Sequence, residues 1–260
     1  DQDNSNTPGS FLLTDGEENM LALVCRHFKK SVVLLNVGNI IDMQWVMRYN
    51  PGAVAYIWQG GQEGCRGVLD VLNGTVSPSG KLPDTIARTP ADYPAADHYG
   101  ADDRNFYAED IYVGYRYFDT FRKKALFPFG YGLSYTEFRL GTAGVEANGA
   151  QVTVRTTVEN TGTMAGRQVL QVYLSKPAGK LDAPRQELCA FAKTRTLAPG
   201  EAETVTCSFT LPEMAAYDAE TASYILEAGD YFVRVGVSSA ETVPAAVLHL
   251  GKTVTTLQAK

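Results

Sequence analysis

The chain has 260 residues, 45% hydrophobic and 20% charged, with a formal net charge of −6 at pH 7. That balance supplies a packed core and excludes a disordered polymer, and without a Lys/Arg run nucleic acid is not expected as a partner. No stretch reaches the roughly 18 apolar residues of a membrane-spanning helix, so no membrane is expected either, and the length fits one large or two ordinary domains.

In chain order, Thr14 and Glu17 form a capping box that predicts a helix start. Leu21, Val24, Cys25 and Phe28 follow at helical spacing. Ser31 to Val37 is a short, continuous apolar run, the pattern of a parallel strand buried on both faces. Asp42 is placed to cap a second short helix through Tyr49, which Asn50-Pro51-Gly52 breaks. Ala53 to Trp58 reads as a second buried strand. A glycine-rich turn, Gly60-Gly61-Gln62-Glu63-Gly64, opens a helix with Cys65, Val68, Leu69 and Leu72 on one face and a stop at Asn73-Gly74. This β-α-β-α order predicts an α/β layer with a parallel sheet. Residues 75–110, rich in Pro, Asp and Ala, read as irregular, and a loop of that length is usually functional or packs on another domain.

From Gln151 onward only strand patterns appear. Val152, Val154, Thr156 and Val158 alternate up to a turn at Asn160-Thr161-Gly162. Leu170, Val172 and Leu174 do the same, as do Val205, Cys207, Phe209 and Leu211, and Tyr231, Val233, Val235 and Val237. Period two with regular turns predicts a β-sandwich, and Leu226 to Tyr231 matches the tyrosine corner of immunoglobulin-like sandwiches. The boundary between the two halves is expected near 139–150, giving domains 1–140 and 141–260.

The residues nominate little chemistry by themselves. Cys25, Cys65, Cys189 and Cys207 lack zinc-ligand spacing, so neither metal nor cofactor is expected. Cys189 and Cys207 either pair or stay free; free thiols lean towards a cytoplasmic setting. His27, His98 and His249 stand apart from any nucleophile motif, and His27 suits the end of the first helix as a dipole partner. The turn from Gln59 to Gly64 leaves a strand and opens a helix, a place where ligands gather in α/β sheets. Trp58, Gln59, Gln62 and Glu63 are suitable types for sugar contacts; the alternative is a tight turn without a ligand. Glycoside cleavage needs two carboxylates, about 5–5.5 Å apart in the retaining case. Glu109-Asp110, read as part of a strand, would point to opposite faces, and Asp102-Asp103 faces the same problem. No pair is nominated.

Several strings together resemble one family. They are Pro78 to Pro83 (PSGKLP), Ile111 to Phe118 (IYVGYRYF), Phe127 to Thr136 (FPFGYGLSYT), Leu170 to Pro177 (LQVYLSKP), and Phe191 to Lys193 with Leu197 to Glu201. In this order they resemble the second and third domains of family 3 glycoside hydrolases, which include β-glucosidases. The resemblance implies an α/β sandwich domain, then a fibronectin type III-like domain, with a barrel domain as the missing partner. The implied reaction is retaining hydrolysis of terminal β-linked sugars. The implied nucleophile is an Asp of the barrel. The implied acid/base Glu falls immediately before Asp1, if Asp3-Asn4 match the family's DR pair. Asp3, Asn4, Trp58, Gln59, Gln62 and Glu63 are then substrate-proximal candidates. Glu109, Asp110, Tyr112 and Arg116 are candidates for bracing the domain interface, Arg116 alternatively pairing with Glu109 or Asp110 as a structural ion pair. Ser134 to Thr136 is expected to anchor the linker into the last domain. Glu109-Asp110, where the family usually has EG, resembles members with permuted domain order. The chain alone is expected to be inactive and to expose apolar surface that a barrel or a second copy covers. A non-catalytic carbohydrate-binding or scaffolding module is the alternative; a nucleotide-binding α/β domain lacks its phosphate fingerprint.

Overall fold

A computed structural model describes residues 7–98, 104 and 106–259. Asp3, Asn4, Asp102 and Asp103 lie outside the described residues. The chain forms two compact units. The first takes residues up to 75 together with 84–114 and 124–127; the second takes 76–83, 115–123 and 128 onward. Segments from three stretches before residue 140 therefore belong with the sandwich rather than with the α/β layer.

In the first unit, α1 (Asp15–His27) begins at the capping box: Glu17 N donates to Thr14 Oγ1 at 3.3 Å, and Thr14 N donates to Glu17 Oε2 at 2.8 Å. β1 (Val32–Leu35) and β2 (Ala53–Tyr56) pair in parallel, Val32 opposite Ala53 and Leu35 opposite Tyr56. Between them lies α2 (Gln44–Tyr49). Met43 is its N-cap; Asp42, expected to cap it, sits one residue earlier and accepts from the Gln44 backbone N–H at 3.3 Å and from Gln44 Nε2 at 3.0 Å. Trp45, almost fully buried, donates from its indole to the Asp42 carbonyl at 2.9 Å. Glu18 of α1 ties α2 down, accepting from Arg48 and from the Tyr49 hydroxyl, each at 2.8 Å. α3 (Gly64–Leu72) follows β2.

Burial here departs from expectation. Val32 is 53% and Leu34 38% exposed, so β1 is not covered on both faces. On α1 only Leu21 is buried, while Phe28 is the C-cap residue and exposed. Leu69 and Leu72 on α3 are also exposed. Periodicity marks which face a segment is built to bury, and these faces find no cover among the described residues.

The second unit is a sandwich. α4 (Tyr115–Thr120) comes first, then β3 (Phe138–Leu140), β4 (Gly144–Asn148), β5 (Gln151–Asn160), β6 (Val169–Ser175), β7 (Glu187–Lys193), β8 (Ala202–Thr210), β9 (Ala216–Asp218), β10 (Ser223–Leu226), β11 (Gly229–Ser238), β12 (Glu241–Leu250) and β13 (Val254–Gln258). One sheet runs β12-β11-β6-β7; in another, β5 pairs with β3 and β4 on one side and β8 on the other; β13-β10-β9 form a third. The alternating residues read from sequence meet in the core: Val152, Val154 and Val158 of β5 with Val205, Cys207 and Phe209 of β8, against Leu170, Val172 and Leu174 of β6 and Val233 and Val235 of β11. The tyrosine corner is present, Tyr231 donating to the Glu227 carbonyl at 2.8 Å. All four cysteines are free. No helix among the described residues is long and apolar enough to cross a membrane.

Candidate functional site

The α/β unit presents its loops at the carboxyl ends of β1 and β2, where parallel sheets place ligands. The ladder continues one step past β2, Ile57 N donating to the Leu35 carbonyl at 3.0 Å. Trp58 then turns the chain with a φ of 50°, a left-handed conformation seldom adopted by a bulky residue. Its ring packs on Tyr56 with centroids 4.8 Å apart, which offsets part of that strain. Gly60 is required by space: a methyl there would stand 2.8 Å from the Gly64 Cα. The two loops are neighbours, since a methyl on Gly38 would lie 3.1 Å from Gln59 Nε2.

Trp58 is half-buried while Gln59, Gln62 and Glu63 are exposed. Glu63 sits at the N-cap of α3 without a side-chain capping bond and pairs instead with Arg66 at 3.0 Å, a solvated pair of small energetic weight. The turn thus offers one aromatic face with amides and a carboxylate beside it, a combination suited to stacking on a sugar and hydrogen-bonding its hydroxyls.

Beneath this turn lies a polar group that sequence pattern did not single out. The Tyr56 hydroxyl accepts from Ile41 N at 3.1 Å. Burial pushes the Tyr56 phenol up, and the charges of Asp84 and Asp42 act in the same direction. Tyr93 accepts from Ala87 N at 3.0 Å, donates to the Thr85 carbonyl at 3.1 Å, and is likewise pushed up by burial. Burial also holds the Asp84 carboxyl above the ordinary carboxylate range. The one hint in the sequence is that Asp84 follows the PSGKLP string, directly after Pro83.

Glu109 and Asp110 do not lie in a strand. They form a turn in which Tyr112 N donates to the Glu109 carbonyl at 2.7 Å and Asp110 is left-handed at φ 47°. Glu109 is half-buried and its carboxyl is raised by that burial. Gly114, at φ 57°, then admits α4. Arg116 pairs with Glu187 of β7 at 3.4 Å, not with Glu109 or Asp110. Lys176 shares the same carboxylate at 2.5 Å. Tyr115, the first residue of α4, accepts from Leu188 N at 2.8 Å and stacks on Phe129. The IYVGYRYF string is thus divided: residues 111–114 belong to the α/β unit and 115–118 to the sandwich.

Residues 2–135 match the family model described as the glycosyl hydrolase family 3 C-terminal domain, and residues 168–239 match a fibronectin type III-like domain. A beta-glucosidase of Ruminococcus albus is 46% identical over 99% of this chain, which covers 28% of that protein. Beta-glucosidase A of Butyrivibrio fibrisolvens is 39% identical over 90% of the chain, covering 31% of its own length. Among solved structures, a beta-glucosidase from Paenibacillus barengoltzii superposes with a TM-score of 0.94 at 44% identity, over 99% of this chain and 30% of that one. Beta-glucosidase 3B from Thermotoga neapolitana, in complex with alpha-D-glucose, gives 0.90 at 39% identity, over 97% and 36%. The chain therefore spans about a third of the length of the relatives it matches. It belongs to glycoside hydrolase family 3, with the family's C-terminal α/β domain followed by a fibronectin type III-like sandwich.

Proposed function

We propose that the chain is the α/β and fibronectin-like portion of a retaining glycosidase of the β-glucosidase type, with 1–140 and 141–260 as its two modules along the sequence, although 76–83, 115–123 and 128–140 fold with the second unit. In this reading it lines the sugar cleft and a barrel domain supplies the nucleophile. The observation that carries it is the placement of Trp58, Gln59, Gln62 and Glu63 together on the turn leaving β2, in a chain whose relatives are named beta-glucosidases.

The residues have distinct parts in this reading. The Trp58 ring stacks on a sugar face, and Gln59 and Gln62 hydrogen-bond its hydroxyls. Glu63, exposed and tied to Arg66, adds a hydrogen-bond acceptor at the edge of the turn. Glu109, Asp110, Tyr112 and Arg116 brace the units against the barrel. Retention requires two carboxylates on opposite sides of one bond, and in this reading both lie outside the chain. The test is hydrolysis of an aryl β-glucoside by the chain alone and after mixing with a separately produced family 3 barrel domain. Only the mixture is expected to turn over. Turnover by the chain alone overturns the assignment and directs mutagenesis to Glu63, Glu109 and Asp110.

A further inference from the structure

The sandwich unit carries an open cavity of about 250 Å³ between the end of α4 and the β11–β12 hairpin. Its wall includes Arg122, Lys123, Arg185 and Arg234, against a single carboxylate, Asp119. In a chain of net charge −6 this is a local reversal of sign.

Three of these groups are arginines, and each is held in place. Arg234 is half-buried and anchored at one edge, Nε donating to Thr242 Oγ1 at 3.0 Å and Nη2 to the Thr242 carbonyl at 3.1 Å. Arg185 lies close enough for its charge to act on Arg234, an unfavourable pairing of like charges. Its backbone is fixed, Arg185 N donating to Thr120 Oγ1 at 2.8 Å. Arg122 is set by a left-handed backbone at φ 54°. Among the described residues, neither Arg122 nor Arg185 has a carboxylate within ion-pair distance. Asp119 accepts from Gln186 Nε2 at 2.9 Å, and its one charge acts on both Arg185 and Arg234, so the wall keeps an excess of positive charge.

We propose that this cavity binds a small oxyanion, either a phosphate group or the carboxylate of an acidic sugar. Guanidinium forks recognise both through paired hydrogen bonds. The volume lies just under the roughly 300–1,000 Å³ of drug-sized sites, which suits a monosaccharide or smaller. The proposal does not depend on the glycosidase reading.

Calorimetric titration of the full chain with inorganic phosphate, glucuronate and glucose tests it. Saturable binding of phosphate or glucuronate is expected, weakening as sodium chloride is raised. Glucose, lacking the charge, should not bind at this site, and the tighter of the two anions identifies the source. The double variant Arg122→Gln/Arg185→Gln alters exposed side chains and should keep the unfolding midpoint while weakening binding roughly tenfold or more. Asp119→Asn removes the opposing charge and should tighten it. No saturable binding of either anion, equal anion binding by the double variant, or glucose binding that the double variant weakens as much as glucuronate binding would each overturn the assignment.

Discussion

Thr136 Oγ1 donates a 2.7 Å hydrogen bond to Oδ1 of Asn160, a residue with no exposed surface. The same oxygen accepts from Gly162 N at 3.1 Å, and Asn160 Nδ2 donates to the carbonyls of Met164 and Leu197, both at 2.8 Å. Every polar capacity of this amide is used, so it pins the end of the FPFGYGLSYT string to the turn after β5 and to the chain around Leu197. Ser77 completes the clasp: its hydroxyl lies 2.8 Å from Ser134 Oγ and accepts from Tyr135 N at 3.0 Å. Thr136→Val keeps the shape and removes the donor, and should cost about 1–3 kcal/mol. Asn160→Leu takes the donor from the Met164 carbonyl, one of two donors from the Leu197 carbonyl, and the acceptor from Thr136 and Gly162, and should cost more. Urea unfolding followed by far-UV circular dichroism reads both, and an unchanged midpoint in Asn160→Leu would refute the role given to the clasp.

The four free cysteines should separate sharply in reactivity. Cys65 is exposed on α3. Burial pushes the Cys189 thiol up to about 12 and the Cys207 thiol up to about 11. The thiolate is the reacting species, so at pH 8 an aromatic disulfide reagent should modify Cys65 within the first phase. Cys189 and Cys207 should react only on the timescale of unfolding. Mass spectrometry of peptides from a timed quench assigns each site; early labelling of Cys207 would contradict its place in the core.

The sandwich was legible because each β-strand carries its own instruction. Val152 to Val158 alternate, and the buried residues of β5 fall at those positions; Tyr231 stands in the corner motif and makes the corner bond. The α/β half was legible in element order but not in burial. The apolar runs of β1 and α3 state what they are built to bury, and nothing in a run names its cover. The helix α4 was illegible for a different reason. IYVGYRYF mixes aromatic and β-branched residues without a clear period, and the decision between strand and helix falls to the positive φ at Asp110 and Gly114, a tertiary outcome. The polar group of Tyr56, Asp84 and Tyr93 was missed because its members lie far apart in sequence. Asp3 and Asn4 stay as expectations, outside the described residues.

Asp84 supplies a pH test. Burial raises its folded-state pKa above the unfolded value, so between those two values the folded state holds more protons than the unfolded state. Stability then falls as pH rises through that window, and the ionised carboxylate is a burden at neutral pH. Asp84→Asn should therefore raise the unfolding midpoint of the α/β unit at pH 7, and the advantage should vanish as pH drops to about 4 and below, the unfolded aspartate value. Both tryptophans, Trp45 and Trp58, lie in this unit, so their fluorescence follows its unfolding selectively. A variant less stable than the parent at pH 7 would show that the carboxylate makes a favourable contact that outweighs its burial.

Trp58 allows the sugar-facing reading to be separated from a structural one. Its ring packs on Tyr56, and its left-handed backbone is strained with or without the ring. Trp58→Ala removes both the Tyr56 contact and the proposed stacking face; Trp58→Phe retains an aromatic face. In the enzyme reconstituted with a barrel domain, losing a stacking contact worth about 1 kcal/mol should raise KM roughly fivefold, with kcat less affected because the ring takes no part in bond breaking. Trp58→Phe should restore most of the affinity. A purely structural tryptophan would instead lower the unfolding midpoint in Trp58→Ala and leave KM unchanged at a temperature where the variant is folded, and that result would remove Trp58 from the sugar cleft.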